Sequence, residues 1–220
     1  MRSELHTTFN DLYDNCLYSS IAHAISNVRY PFFAYAQSWD AQNYSFHYGS
    51  SRGTIAFDLR NGILAGAIRD EKSSRRNWYP KFKAIELFDN VSETVKNLAD
   101  NETLQYLLDE INGITMPVAT TAFWSEGNKI IVGDDWNDFL NNGGEFISNI
   151  ICSLQELNAY WREEYMFSSE ESELVDHLFQ LKKNNCIELS KGDIAVIDRN
   201  SDGYEDFVES LGEIGFVIKI

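Results

Sequence analysis

Two strand-like runs, 54–59 and 63–68, are joined by Arg60-Asn61-Gly62, and this join constrains the fold more than any other string in the chain. Asn and Gly tolerate positive φ, so Asn-Gly between such runs is the strongest short-range sign of a β-hairpin. Aromatic and β-branched runs at 32–36 and 44–48 extend the pattern. An antiparallel meander over residues 30–70 is the expectation.

Elsewhere the period changes. Leu5, Phe9, Leu12, Cys16, Ser19, Ser20 and His23 recur at three- and four-residue spacing, which predicts an amphipathic helix over the first 27 residues, ended by Pro31. A second helical stretch starts near Asn90, with Glu93 as capping partner, and runs through Val95, Leu98, Leu104 and Leu108 to Ile111, with room for a break near Asn101. Residues 118–123 and 129–132 read as another hairpin around 125–128. A short helix over 135–140 is stopped by Gly143-Gly144, and Phe146, Ile150, Leu154, Leu157 and Trp161 predict a long helix over 145–165. Ser168 and Glu171 form a capping signature for a further helix through Leu174, Leu178 and Leu181. Strands are expected at 193–197 and 216–220. Hairpins interspersed with helices, without regular β-α-β alternation, make this an α+β chain with a mainly antiparallel sheet and a helix-rich carboxy-terminal part. A single domain over 1–220 is expected, with any subdivision near 143–169.

At 220 residues the chain can bury a sizeable core, and 3 Pro and 13 Gly argue against long disorder. The first residues lack the cationic start and apolar block of a signal peptide, and no apolar run of membrane-spanning length occurs, so a cytoplasmic protein is expected. Cys16, Cys152 and Cys186 are odd in number and widely spaced, which suggests neither a disulfide framework nor a zinc knuckle. A net charge of −16 opposes direct binding to nucleic acid or to an anionic membrane and favours a basic protein partner. One stretch runs the other way: Arg69, Lys72, Arg75, Arg76, Lys81 and Lys83 face only Asp70 and Glu71. With Trp78 and Tyr79 interleaved, it reads as a nucleotide-stacking platform, or more readily as a loop or a patch for a homodimer.

The densest chemical string is 198–209, which fits the calcium-loop pattern D-x-[DN]-x-[DN]-G-x5-E at every specified position. Its ligands would be Asp198, Asn200, Asp202, the Tyr204 carbonyl, Asp206 through water and a bidentate Glu209, with Gly203 at the sharp turn. Three features weigh against an EF-hand: a strand-like segment precedes the loop, no second loop exists to pair with it, and Glu205 replaces the usual aliphatic residue. A metal-free turn in which Asp202 caps the next helix, with Glu205 completing the box, explains much of the same string.

Catalytic signatures are sparse. Gly49-Ser50-Ser51-Arg52-Gly53 lies between strands and so reads as a hairpin loop, not a phosphate cradle. Cys16 and His23 share a helix face at most, His177 lies elsewhere, and Asp134, Asp135 and Asp138 are accounted for by helix-start charge. Glu163-Glu164 is a further acidic pair. The first expectation is therefore an acidic protein-interaction module, of the kind in which an immunity or inhibitor protein neutralises a cationic toxin or nuclease. A calcium-binding protein using the 198–209 loop is the second, and an enzyme with a site around His47, Tyr48 and Trp39 the third.

Overall fold

The computed structural model describes residues 2–219. Its strands in chain order are β1 (Ser3–Leu5), β2 (Gln37–Asp40), β3 (Asn43–Tyr48), β4 (Ser51–Asp58), β5 (Ile63–Arg69), β6 (Leu108–Ile111), β7 (Ile114–Pro117), β8 (Thr121–Glu126), β9 (Lys129–Val132), β10 (Glu188–Leu189) and β11 (Val217–Ile218). The α-helices are α1 (Phe9–Asn27), α2 (Glu93–Asn101), α3 (Trp136–Asn141), α4 (Leu154–Glu164), α5 (Ser169–Lys183) and α6 (Tyr204–Glu213). The chain is α+β, and it divides into two units: Met1–Leu12 with Gln42–Ile151, and Tyr13–Ala41 with Cys152–Ile220. Neither crossover near the amino terminus is marked by Pro, Gly or a charge run.

In the first unit, six strands of the main sheet run in the order β1-β9-β8-β5-β4-β3, each neighbouring pair antiparallel. Pleating sends alternate side chains to opposite faces. One face carries Phe46, Ile55, Ile68, Phe123 and Val132, while the other carries Ala65, Ala67, Ala122 and Trp124 under Phe88, Val95 and Leu104. Both faces are covered, so the central strands read as continuous apolar runs. Two glycines make close packing possible: a β-carbon on Gly53 would sit 2.1 Å from the Phe46 ring, and one on Gly66 2.1 Å from the Phe123 ring. Each ring occupies the space that a β-carbon on the neighbouring strand would fill.

The Asn61-Gly62 hairpin forms as expected. Asp58 holds its turn by accepting from the Arg60 and Asn61 amides at 3.0 and 3.1 Å, and Gly62 has φ +64°. Several other expectations give way. The strand at 32–36 is a 3-10 turn, Pro31–Ala36, because Pro31 fixes the first φ of a tight helix. The 90–111 stretch does break at Asn101, as the sequence allowed, but its helix is capped by Ser92, not Asn90, which has φ +65°. A 3-10 turn (Thr103–Leu107) and the β6-β7 hairpin follow it. The 145–165 helix is broken where Ser153 and Glu156 form a capping box, leaving a 3-10 turn (Gly144–Ile150) and α4. Residues 193–197 form turns in which Ser190 and Asp193 cap one another, and the strand nearby is β10, paired in parallel with β11. The Ser168-Glu171 capping box opens α5 as predicted.

Candidate interaction surface

The second unit is organised by the carboxy-terminal part of α1. The sequence predicts an amphipathic helix, yet every residue from 15 to 27 is buried, polar ones included. Burying such groups demands hydrogen-bond partners. The Asn15 amide donates to Cys152 O at 2.8 Å, Ser20 Oγ to Cys16 O at 2.9 Å and Ser26 Oγ to His23 O at 2.7 Å. Ser19 Oγ accepts from the Trp161 indole at 2.8 Å, and the Asn27 amide donates to Ser210 Oγ at 3.0 Å.

His23 anchors the segment that follows. Its Nε2 lies 3.2 Å from Ala34 O and its Nδ1 3.0 Å from Tyr165 Oη. A carbonyl only accepts, so Nε2 carries the proton and Nδ1 accepts from the Tyr165 hydroxyl, which in turn accepts from the Gln37 amide at 3.3 Å. Burial pushes the His23 pKa down to about 4, keeping the ring neutral. Arg29 makes a second tie. It donates to Tyr165 O at 2.8 Å and to Met166 O at 3.5 Å, pairs with Glu171 at 3.4 Å, and lies 5.5 Å from the Tyr30 ring and 5.9 Å from the Phe167 ring.

The segment held in this way turns its apolar side chains outward. Not one residue of Pro31–Ala36 is buried; Phe32 is 87% exposed, Phe33 58% and Tyr35 63%, and Met166 on the adjoining turn is 68% exposed. Large exposed apolar groups close together in the chain, as Phe32, Phe33 and Tyr35 are, mark an interaction site more often than scattered ones do. The unit that bears them is also the more acidic one. It holds 17 acidic and 7 basic residues, a net of −10, against 17 and 11, a net of −6, in the first unit. Exposed Glu163 and Glu164 stand next to Met166 in the chain.

The calcium-pattern loop belongs to the same unit but gathers no ligand set. Helix α6 begins at Tyr204, so the Tyr204 carbonyl lies along the helix axis, where it accepts from an amide one turn on. Asp206 and Glu209 are carried on that helix, and Asp198 turns back to accept from the Asn200 amide at 2.9 Å. Asp202 is exposed and provides no cap, since Gly203 takes the N-cap position with no side-chain bond. Gly203 has φ −92°, an ordinary value; what it supplies is space, because a β-carbon would lie 1.9 Å from Asn27 O. Among the described residues no group of three or more His, Cys, Asp or Glu side chains is placed to hold a metal ion.

In the first unit the three arginines of the basic island are paired with carboxylates. Arg75 makes a two-pronged pair with Asp134 at 2.7 and 2.9 Å, donates to Thr120 O at 2.9 Å, and lies 5.1 Å from the Trp78 ring. Thr121 adds a hydroxyl to Asp134 at 2.9 Å. Arg69 pairs with Glu71 at 3.0 Å and Asp109 at 3.4 Å, and Arg76 pairs with the same two carboxylates. Tyr79 is no stacking platform: it is buried, and its hydroxyl donates to Ala119 O at 2.7 Å with its pKa pushed up to about 12 by burial.

The catalytic candidates are dispersed. His47 and Tyr48 are consecutive on β3 and so face opposite sides of the sheet. Tyr48 stacks on Phe146 at 5.5 Å, while burial and then the charges of Arg52 and Arg69 lower the His47 pKa. Trp39 belongs to the second unit, where its indole donates to Ala41 O at 3.1 Å. Burial drives the Cys16 thiol well up, which leaves it protonated and unreactive. His177 pairs at the surface with Asp193 at 3.1 Å.

No protein-family model, curated protein or solved structure matches the chain. Among the described residues no helix is long and apolar enough to cross a membrane. Phe32, Phe33 and Tyr35 escaped sequence reasoning because an aromatic run reads as strand; Pro31 ahead of it was the signal for a turn that leaves them outside.

Proposed function

We propose that the protein is an acidic interaction module whose second unit binds and neutralises a basic protein partner, as an immunity or inhibitor protein covers a cationic toxin or nuclease. The observation that carries this reading is the fixed, outward-facing set Phe32, Phe33, Tyr35 and Met166 on the unit with net charge −10. Interfaces take most of their affinity from a few large side chains, and charge around them sets encounter rate and partner choice. Dispersed His, Cys and carboxylate groups give no comparable support to catalysis.

The test begins by crosslinking in native cells and ends with a purified pair. A partner rich in Lys and Arg is expected, with an association rate that falls about tenfold or more between roughly 50 and 500 mM salt. A neutral or acidic partner, or a rate indifferent to salt, removes the reading.

A further inference from the structure

We propose that Asn112 is a self-modification site: the Gly113 backbone nitrogen attacks the Asn112 side-chain amide, and the turn ages to aspartate and isoaspartate. Three Asn-Gly pairs occur in the chain, Asn61-Gly62, Asn112-Gly113 and Asn142-Gly143, and a glycine leaves its nitrogen open to such attack because it has no side chain to shield it. The first two continue identically, as Asn-Gly-Ile, so local sequence gives no ground for choosing between them. The fold does choose.

Asn142 is closed off. It is buried, its Oδ1 accepts from Ser73 Oγ at 2.6 Å, its Nδ2 donates to Asp138 O at 2.6 Å, and the Gly143 amide donates to Leu140 O at 3.3 Å. Asn61 is exposed, but its Nδ2 donates to Asp58 Oδ2 at 2.6 Å and its backbone amide to Asp58 Oδ1 at 3.1 Å, so a carboxylate holds the side chain. Asn112 is exposed, and among the described residues its side chain makes no hydrogen bond. Backbone support differs as well. Bringing the Gly113 nitrogen onto Asn112 Cγ requires the backbone to rotate at Asn112, and so the turn to open. Strands β4 and β5 lie inside the main sheet, whereas β6 and β7 pair only with each other. A lone two-stranded ladder opens at low cost, and at φ +53° Asn112 leaves a conformation that is unfavourable for a residue with a side chain.

In the step itself the Gly113 nitrogen gives its proton to solvent and its electron pair to Asn112 Cγ. The Cγ–Nδ2 bond breaks, and Nδ2 takes up a proton and leaves as ammonia. Water then opens the cyclic imide at either carbonyl, giving aspartate or isoaspartate. Both products add a negative charge close in the chain to Asp109 and Glu110, and isoaspartate also adds a methylene to the backbone of a turn whose two residues set the β6-β7 register.

The experiment incubates the full chain at mildly alkaline pH, folded and in guanidinium chloride, digests samples in acid and quantifies each Asn-Gly peptide by mass spectrometry, with isoaspartate resolved from aspartate. In the folded chain Asn112 is expected to convert about tenfold or more faster than Asn61, whose amide must first leave a carboxylate, and Asn142 to stay intact. In guanidinium chloride Asn61 and Asn112 should convert at equal rates. Asn61 keeping pace with Asn112 in the folded chain, or Asn112 staying intact there while it converts in denaturant, overturns the proposal. The same ratio of rates in both conditions overturns it too, because the selection would then lie in the sequence. Product containing aspartate alone would mean direct hydrolysis by water and would overturn attack by Gly113.

Discussion

Replacing Gly203 by Ala tests how the second unit is closed. The added β-carbon would lie 1.9 Å from Asn27 O, 2.8 Å from Asn27 C and 2.9 Å from Val28 Cα. All three are backbone atoms at the end of α1, so no rotamer change relieves the contact. Either α6 lifts away or the last turn of α1 distorts, and the hydrogen bond from Asn27 to Ser210, 3.0 Å long, goes with it. Overpacking of this kind costs about 1–3 kcal/mol, and contacts against backbone belong at the upper end. Ala recovers about 0.4–1 kcal/mol by restricting the unfolded chain, because a φ of −92° suits it. The net expectation is a loss of about 2 kcal/mol, which lowers Tm by about 4–8 °C in a chain of this length. Gly212 is the internal control. It lies on the same helix with nothing within 4 Å of an added β-carbon, so Gly212→Ala should stabilise by about 0.5 kcal/mol. Urea titration followed by tryptophan fluorescence reads both. A Gly203→Ala midpoint equal to or above wild type, beside a Gly212→Ala midpoint that rises, refutes the docking of α6 on the end of α1.

Calcium at about 1 mM should leave Tm unchanged, because liganding by the Tyr204 carbonyl would first unwind the start of α6; a rise that Asp198→Ala with Glu209→Ala abolishes would restore the calcium reading. Asp134→Ala strands the Arg75 guanidinium, whose side chain is 11% exposed, and should cost about 3 kcal/mol in chemical denaturation; a loss below 1 kcal/mol on that scale would show the pair to be dispensable. Acid should destabilise the chain through His23. Its folded pKa of about 4 lies below the ordinary histidine value of 6.5, so the stabilisation is complete above 6.5 and drains away as pH falls toward 4. The total is about 3 kcal/mol. In His23→Gln the stability-pH slope across that window should flatten, and an unchanged slope assigns the loss to other groups.

What the sequence made legible follows from how local each cause is. Ser168 with Glu171, and Asn61-Gly62 between two strands, act within a few residues, and both appear where expected. The β6-β7 hairpin carried the same sign: Asn112 and Gly113 have φ +53° and +79°, so both turn residues are left-handed. Leucines at helical spacing on either side outweighed it. The full burial of α1 was hidden for a different reason, since Ser19 and His23 find their partners at 161, 165 and 34, which no local pattern encodes. Gly203, read as the turn residue of the calcium pattern, has a steric cause that no local pattern encodes. The aromatic patch was hidden in the same way: exposure is decided by what fails to pack on a side chain, and that is set far away in sequence.

The discontinuity of the second unit bears on how the protein is made. Residues 13–41 leave the ribosome long before 152–220, which complete their surroundings. Synthesis at about 5–20 residues per second separates the two by roughly 10–35 s. Throughout that interval the apolar side chains of α1 lack their final cover, so a stalled or prematurely ended chain exposes a sticky helix, and holding chaperones should engage this protein during translation more than after it.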